Sequence, residues 1–319
     1  MNLKKRLLNL IDKRYYKKIN FFFDKYINSN NLISFIDIGA ADFIDKRWLK
    51  ISKHLEYIGF EPDDRSYQKL IKQYSFNNKY KFYNFGLWSK TGTIEINLCK
   101  EPKVSSFFTP NENIINNFKN PERFKIVKKE TVKVSKLDEI KLNNVDFIKL
   151  DIQGGELEAL KGADKTLDKV LGCEVEVEFL QLYKNQPIFQ DINKYLISKN
   201  FIFIDFISYN RWERNKYEGL GQLIFADALF LKSPEYLINL KEIHVKHIIK
   251  YIAICALYNK LDLVDKTYEI FKHKYGKDFI DINLVNNLIK ANTKKRKLKK
   301  FIDKLVRIFI PDSYLHLLD

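Results

Sequence analysis

Cysteine is scarce and widely spread. The three residues Cys99, Cys173 and Cys255 in a chain of 319 match no metal-ligand spacing and no disulfide framework, which fits a reducing cytoplasm. No run approaches 18 apolar residues, so nothing reads as a membrane-spanning helix. The start, MNLKKRLLNLIDKRYYKK, is charged throughout and lacks the continuous apolar core of a signal peptide. No repeat recurs at a fixed period, and no G-x-x-x-x-G-K-[ST] phosphate loop occurs. Negative charge is also in deficit. Forty Asp and Glu against 56 Lys and Arg leave a net charge of +16, which points to an anionic partner: nucleic acid, a membrane face or an acidic substrate. Part of that excess reflects the general richness of the chain in Lys and Asn. Against these absences stand 45% apolar residues and 25 Phe, enough for a sizeable core and too many for general disorder.

Hydrophobic periodicity places a basic, aromatic-rich helix over residues 3–28. A strand at Leu32–Ile38, a helix over 43–54, a strand at Glu56–Phe60, a helix at Asp64–Tyr74 and a strand at Lys81–Phe85 follow. This alternation predicts a parallel, doubly wound α/β sheet. Thr93–Leu98 and Lys128–Val134 read as strands flanking residues 100–124, a polar stretch with three prolines. Such a long connection is expected to be a functional loop or cap. The apolar strand Val145–Leu150, broken only by Lys149, leads to a helix at Glu156–Lys161 and a strand at Leu171–Phe179. A helix at Ile188–Ser198 precedes strands Phe201–Ile207 and Gln222–Leu231. The irregular stretch Ser208–Gly221 joins these two strands, and the pair predicts an antiparallel hairpin at the sheet edge. From Ser233 the period becomes helical, with Gly276 the lone glycine. The expected organisation is an N-terminal basic helix (1–30), a Rossmann-like domain (31–232) and an all-helical C-terminal module (233–319).

The candidate site lies at strand ends. Gly39 follows the first strand, where a residue without Cβ lets a ligand approach the backbone. Glu61 ends the second strand 22 residues later, close to the spacing at which an acid meets ribose hydroxyls in such folds. The G-x-G-x-x-G set that cradles a pyrophosphate is absent, and Phe43 stands where a later glycine would fall. A phosphate-free nucleoside such as S-adenosylmethionine fits better than a dinucleotide. Asp151 ends the fourth apolar strand, where ligands gather in open α/β sheets. Glu156, in the first turn of the next helix, suits a cap as well as a catalyst. Glu174, Glu176 and Glu178 alternate, so they share one face and need partners or solvent. Glu174 is expected to pair with a lysine, and Glu178, nearest the strand end, to meet the acceptor.

These motifs, in order, are DIGA at 37–40, GFEP at 59–62, LDEI at 137–140 and VDFIKLDIQGGELEALKGA at 145–163. EVEFLQLYKNQPIF at 176–189 and FADALFL at 225–231 complete them. Together they resemble the FkbM family of S-adenosylmethionine-dependent O-methyltransferases across about residues 30–232. The chain departs from the family's usual pattern at Phe43, where a small residue is common, and at Gln153, where Glu is frequent; the second departure argues against an ionic role at that position.

The resemblance implies a class I methyltransferase fold and methyl transfer to a sugar or glycan hydroxyl, in surface polysaccharide or lipid-linked saccharide synthesis. Asp37, Gly39, Ala40, Glu61, Pro62 and Asp151 are the expected cofactor contacts. Asp151, Glu178 and Tyr183 are the expected catalytic group, taking or steering the acceptor proton. A divalent cation between Asp151 and Glu178 is the weaker alternative. Arg211 and Trp212, beside Asn210, are candidates for the acceptor's sugar face. His244 and His247 read as a solvated helix face. The acceptor is expected to be a sugar, a nucleotide-sugar or a glycan. Lys294–Lys297, Lys299, Lys300, Lys304 and Arg307, interleaved with Leu298, Phe301 and neighbouring apolar residues, form a basic amphipathic helix. Such a helix can rest on anionic membrane or pack its apolar face inward. The expected location is cytoplasmic, with that membrane contact peripheral. An RNA methyltransferase is the runner-up, disfavoured because the basic residues are dispersed and no N-P-P-Y-like motif occurs. A non-catalytic interaction protein on the same fold is the third.

Overall fold

A computed structural model describes residues 2–41, 44–142, 144–214, 221–276 and 279–309. Phe43, part of the Ser208–Gly221 connection and the side chains of Lys304 and Arg307 lie outside the described residues. The chain divides into two compact units.

The larger unit comprises residues 33–45 and 55–233. Its seven-stranded sheet uses β1 (Ile33–Ile38), β2 (Leu55–Phe60), β3 (Tyr80–Tyr83) and β7 (Phe147–Leu150). It is completed by β8 (Gly172–Glu178), β9 (Phe201–Trp212) and β10 (Gln222–Lys232). The order is β3-β2-β1-β7-β8-β10-β9. The β1–β2, β2–β3, β1–β7 and β7–β8 pairs are parallel, and β10 runs antiparallel to both β8 and β9. This is the expected mostly parallel, doubly wound arrangement, with the expected edge hairpin. Strands β1 and β8 are buried along their whole length, as parallel strands covered on both faces must be. That explains their near-continuous apolar character, and it makes the three Glu of β8 an anomaly that needs a reason.

Helix α3 (Asp64–Tyr74) starts where Asp63 caps it by accepting from the Arg65 amide. Helices α5 (Glu156–Gly162) and α6 (Phe189–Ser198) pack Ala159, Leu160, Ile192 and Leu196 into the core with Ile36, Ile148 and Val175. Between β3 and β7 a small sheet is inserted, ordered β4 (Gly86–Leu87), β6 (Ile126–Ser135), β5 (Gly92–Cys99). It carries residues 100–124, which hold one short helix, α4 (Glu112–Ile115), and two 3₁₀ turns.

Two expectations differ. The predicted irregular stretch after Ile207 continues β9 as far as Trp212. An edge strand with a solvated face tolerates the Asn210 and Arg211 that made this segment read as loop. The predicted helix over 43–54 is instead α2 (Lys46–Leu49) and a 3₁₀ turn at Ser52–His54, where Ser52 favours a fresh turn over helix interior.

The second unit comprises residues 1–32, 46–54 and 234–319. It contains α1 (Asn2–Tyr26), α7 (Pro234–Ile238), α8 (Val245–Leu257), α9 (Leu261–Tyr275) and α10 (Ile282–Phe309). Lys295 of α10 is 3.0 Å from Asp12 of α1, and the Tyr15 hydroxyl donates to the Ala256 carbonyl at 3.0 Å. Among the described residues no helix is long and apolar enough to cross a membrane.

Candidate active site

The sheet order reverses between β1 and β7, because the chain runs outward through β2 and β3 before returning. Crevices at such switch points, beyond the strands' carboxyl ends, are where open α/β sheets bind ligands. Here β1 places Asp37 opposite Lys149 of β7, and Ile38 opposite Leu150. Gly39 adopts φ +82°, and a Cβ on it would lie 2.0 Å from the Asp151 carbonyl oxygen. The missing side chain therefore serves the close approach of β1's end to β7's end, as well as keeping the crevice open.

Asp37 is buried. The Tyr57 hydroxyl donates to it at 2.6 Å, and Lys149 Nζ is 3.9 Å away. Burial raises its carboxyl above the usual range, with Lys149 pulling the other way. Burial also works against the Lys149 ammonium, but Asp151, Asp37 and Glu174 outweigh it and hold that amine firmly protonated. Glu174, expected to pair with a lysine, stands beside Lys149 in register and acts on it electrostatically, while the ion pairs of Lys149 are with Asp37 and Asp151.

Glu61, 6% exposed, accepts from the Asp63 amide at 2.8 Å. Burial pushes its carboxyl up to about 8. Asp63 is held by Arg65 through Nε at 2.9 Å and Nη2 at 2.5 Å.

After β7 the chain makes a turn with two consecutive positive φ angles, +55° at Gln153 and +99° at Gly154. A left-handed conformation at a residue bearing a side chain is costly and is found where surroundings enforce it. Those surroundings are visible. The Gln153 carbonyl accepts from Ser106 Oγ at 2.7 Å, and its amide nitrogen donates to Asp151 at 3.1 Å and Glu176 at 2.5 Å. The Tyr183 hydroxyl lies 3.1 Å from its amide oxygen and 2.9 Å from the Val104 carbonyl. Glu156 closes the same turn by accepting from the Ile152 amide at 2.8 Å, and burial pushes its carboxyl up to about 7.

The opposite wall comes from the insertion and the edge hairpin. Phe124, Leu182, Ile224, Trp212 and Phe225 pack together there. The Arg123 guanidinium lies 4.2 Å from the Trp212 ring centroid.

These pieces enclose a cavity of about 620 Å³, within the roughly 300–1,000 Å³ of small-molecule sites. Nine of its lining residues are acidic and three basic, in a chain whose net charge is +16. The site therefore opposes the sign of the whole molecule.

Of the predicted residues, Asp37, Gly39, Glu61, Pro62 and Asp151 line this cavity together. Ala40 is buried and does not line it, whereas Ala41 does. Glu178 and Tyr183 are not brought to the lining. Glu176, facing Asp227 across the β8–β10 pair, reaches it instead. The physical reason is the chain after β8. It turns over the strand end, its Gln186 packs against Gly154, and Glu178 is left 1% exposed. Burial and the neighbouring Glu156 push the Glu178 carboxyl well above its usual range. Trp212 lines the cavity, whereas Arg211 turns outward to the Gly221 carbonyl. Asp151 and Glu178 do not share the cavity. Among the described residues no group of His, Cys, Asp or Glu is arranged to hold a metal.

Besides Glu176, sequence reasoning missed two residues. Gln153 carried a signal in its position, two residues after the strand-ending Asp151 and directly before two glycines. Arg123 lies in the long proline-containing connection, whose length alone marked it as functional.

The family model for the methyltransferase FkbM domain matches residues 37–203, more than half of the chain. Among solved structures, a methyltransferase FkbM from Methylobacillus flagellatus KT is 16% identical, with a TM-score of 0.39 over 63% of this chain and 44% of that one. The chain thus spans less than half of that relative. Magnesium protoporphyrin IX methyltransferase from Synechocystis PCC 6803, solved with bound SAM, is 10% identical over 71% of this chain and 79% of that one, TM-score 0.35. M. capricolum TrmK, in complex with S-adenosyl-homocysteine, is 11% identical over 89% and 96%, TM-score 0.33. No curated protein sequence matches the chain. From the seven-stranded sheet, the crevice at its switch point and the match over residues 37–203, we conclude that the chain belongs to the FkbM methyltransferase family.

Proposed function

We propose that the chain transfers a methyl group from S-adenosylmethionine to a hydroxyl oxygen of a sugar or glycan. The single observation that carries the cofactor assignment is Glu61, a buried carboxyl at the end of β2, on the wall of an acidic cavity at the switch point. One of its oxygens is committed to the Asp63 amide, and the group suits the paired hydroxyls of a ribose. The excess of carboxylates favours a cationic ligand and disfavours a pyrophosphate. When bound, S-adenosylmethionine supplies a methyl group made electrophilic by its sulfonium. We assign Asp37 and Gly39, which line the cavity, to the amino-acid end.

The protein's remaining task is to orient the acceptor and take its proton. Asp151 and Glu176 reach the cavity and share the Gln153 amide. We assign Asp151 to take the proton and Glu176, whose carboxyl burial raises well above its usual range, to orient the acceptor by a hydrogen bond, with Tyr183 fixing Gln153 and Glu178 standing behind. The sugar half rests on family membership. A nucleic-acid acceptor is weakened by a cavity lining with three basic residues against nine acidic ones, which offers an extended phosphate backbone little counter-charge.

Calorimetric titration of S-adenosyl-homocysteine tests the cofactor assignment. The wild-type chain is expected to bind, and Glu61→Ala to bind at least about tenfold more weakly. Undiminished binding by the variant overturns it. Mass spectrometry of nucleotide sugars and lipid-linked glycans after incubation with S-adenosylmethionine then seeks a product one methyl group heavier.

A further inference from the structure

The cavity has two chemically different walls. The sheet side carries Asp37, Glu61, Asp151, Glu174, Glu176 and Asp227, with Lys149 as its one cation, already engaged by Asp37 and Asp151. The opposite side carries Lys103, Arg123 and Phe124 of the insertion together with Leu182 after β8 and Trp212 of β9, and one acid, Glu101. Arg123 is the unusual member. It lines the cavity, its guanidinium is laid on the Trp212 indole at 4.2 Å and beside Phe124 at 5.1 Å, and its Nε is buried without a hydrogen-bond partner. Burial lowers its affinity for the proton, opposed by Tyr183, Glu122 and Glu101, yet no carboxylate of the described residues lies within ion-pair distance of it. A guanidinium costs free energy when desolvated without a counter-charge, and stacking on an aromatic ring offsets only part of that. The ring instead fixes the plane of the guanidinium. A fixed planar fork is what a two-oxygen anion requires.

We propose that Arg123, positioned by Trp212, is an oxyanion-reading residue of the acceptor subsite, so that the sugar methylated here carries a negatively charged group, a carboxylate or a phosphate. This inference rests on the methyl-transfer reading above for the identity of the ligand. It divides the cavity's labour. The acidic wall takes the cationic methyl donor, and the single stacked cation on the far wall orients an anionic acceptor between them. Trp212 then acts through Arg123, since the indole face presented toward the guanidinium is already occupied.

Ligand-observed NMR titration with glucuronate, glucose phosphate and uncharged glucose tests the assignment, each run with and without S-adenosyl-homocysteine. A charged sugar is expected to bind at least about tenfold more tightly than glucose, the scale of a charge-assisted pair. Preference for glucuronate identifies a uronic acid, and preference for glucose phosphate a phosphorylated sugar. Arg123→Gln is expected to abolish the preference and Arg123→Lys to retain part of it, both leaving S-adenosyl-homocysteine affinity within about twofold as a check on folding. Equal binding of all three sugars, or a preference that survives Arg123→Gln, overturns the inference. Failure of S-adenosyl-homocysteine to bind the wild-type chain overturns the methyl-transfer reading separately, because the sugar preference is also read without it.

Discussion

At the scale of single residues, the site is dominated by carboxyl groups held partly neutral. Burial pushes the Glu61 carboxyl up to about 8 and that of Glu156 up to about 7, and raises Glu178 well above its usual range. The sign of the linkage follows. A group whose folded value exceeds its unfolded one stabilises the fold fully below the unfolded value, about 4.5, and loses that contribution as pH rises through the folded value. Stability should therefore decline from pH 5 toward pH 8. Glu178→Gln, which keeps the shape and removes the ionisation, should make that decline shallower in melting temperatures measured across the range. A steeper decline would mean that Glu178 is ionised in the folded chain. Gly39 is a second residue-scale case. Its φ of +82° and the carbonyl 2.0 Å from any added Cβ predict that Gly39→Ala costs about 2–4 kcal/mol. Chemical denaturation would measure this.

At the scale of elements, the turn at 151–156 organises the chemistry. Gln153→Ala removes the donor shared by Asp151 and Glu176, leaving two carboxylates with no common partner. Turnover should fall about tenfold while S-adenosyl-homocysteine affinity holds, since the loss is in orientation and not in cofactor contacts. A matching loss of affinity would place Gln153 in the cofactor's own contacts. How much of this was legible in the sequence depended on the element. Strands β1 and β2 and helix α3 announce themselves through apolar runs and a capping Asp63, because each follows a local period. Glu61 was legible for the same reason, standing at a strand end at a fixed distance from Gly39. The exchange of Glu178 for Glu176 on the cavity wall was not. Alternation assigns both to one face, and only the chain folding back after β8 decides which is covered. Arg123 was hidden too, since its position depends on Trp212, 89 residues away in the sequence.

At the scale of the whole molecule, the acidic cavity and the net charge of +16 are separate signals. The cavity speaks for its ligands; the surplus of Lys and Arg speaks for the surface. In the helical unit, Leu7, Leu10 and Phe21 of α1 and Leu298 and Phe301 of α10 are exposed, on helices rich in lysine. We propose that this combination gives peripheral attachment to anionic membrane, where a glycan on a lipid carrier would be met. The full-length protein should co-sediment with anionic vesicles at low salt and be released at high salt, and deletion of residues 293–319 should weaken the attachment. Absence of co-sedimentation at low salt ends the idea.

The cavity also has a consequence for how the protein folds. Its walls draw on Asp37 near one end of the larger unit and Asp227 near the other, with Glu61, Arg123, Asp151 and Glu176 between. Few of these contacts are local, so the loops joining them must close before any of the site exists, which is the situation in which folding is slow and depends on topology. A ligand then recognises only the finished sheet and stabilises it by mass action, about 2.7 kcal/mol at a hundred times its dissociation constant. Ligand-dependent protection thus becomes a measure of how completely the chain has assembled.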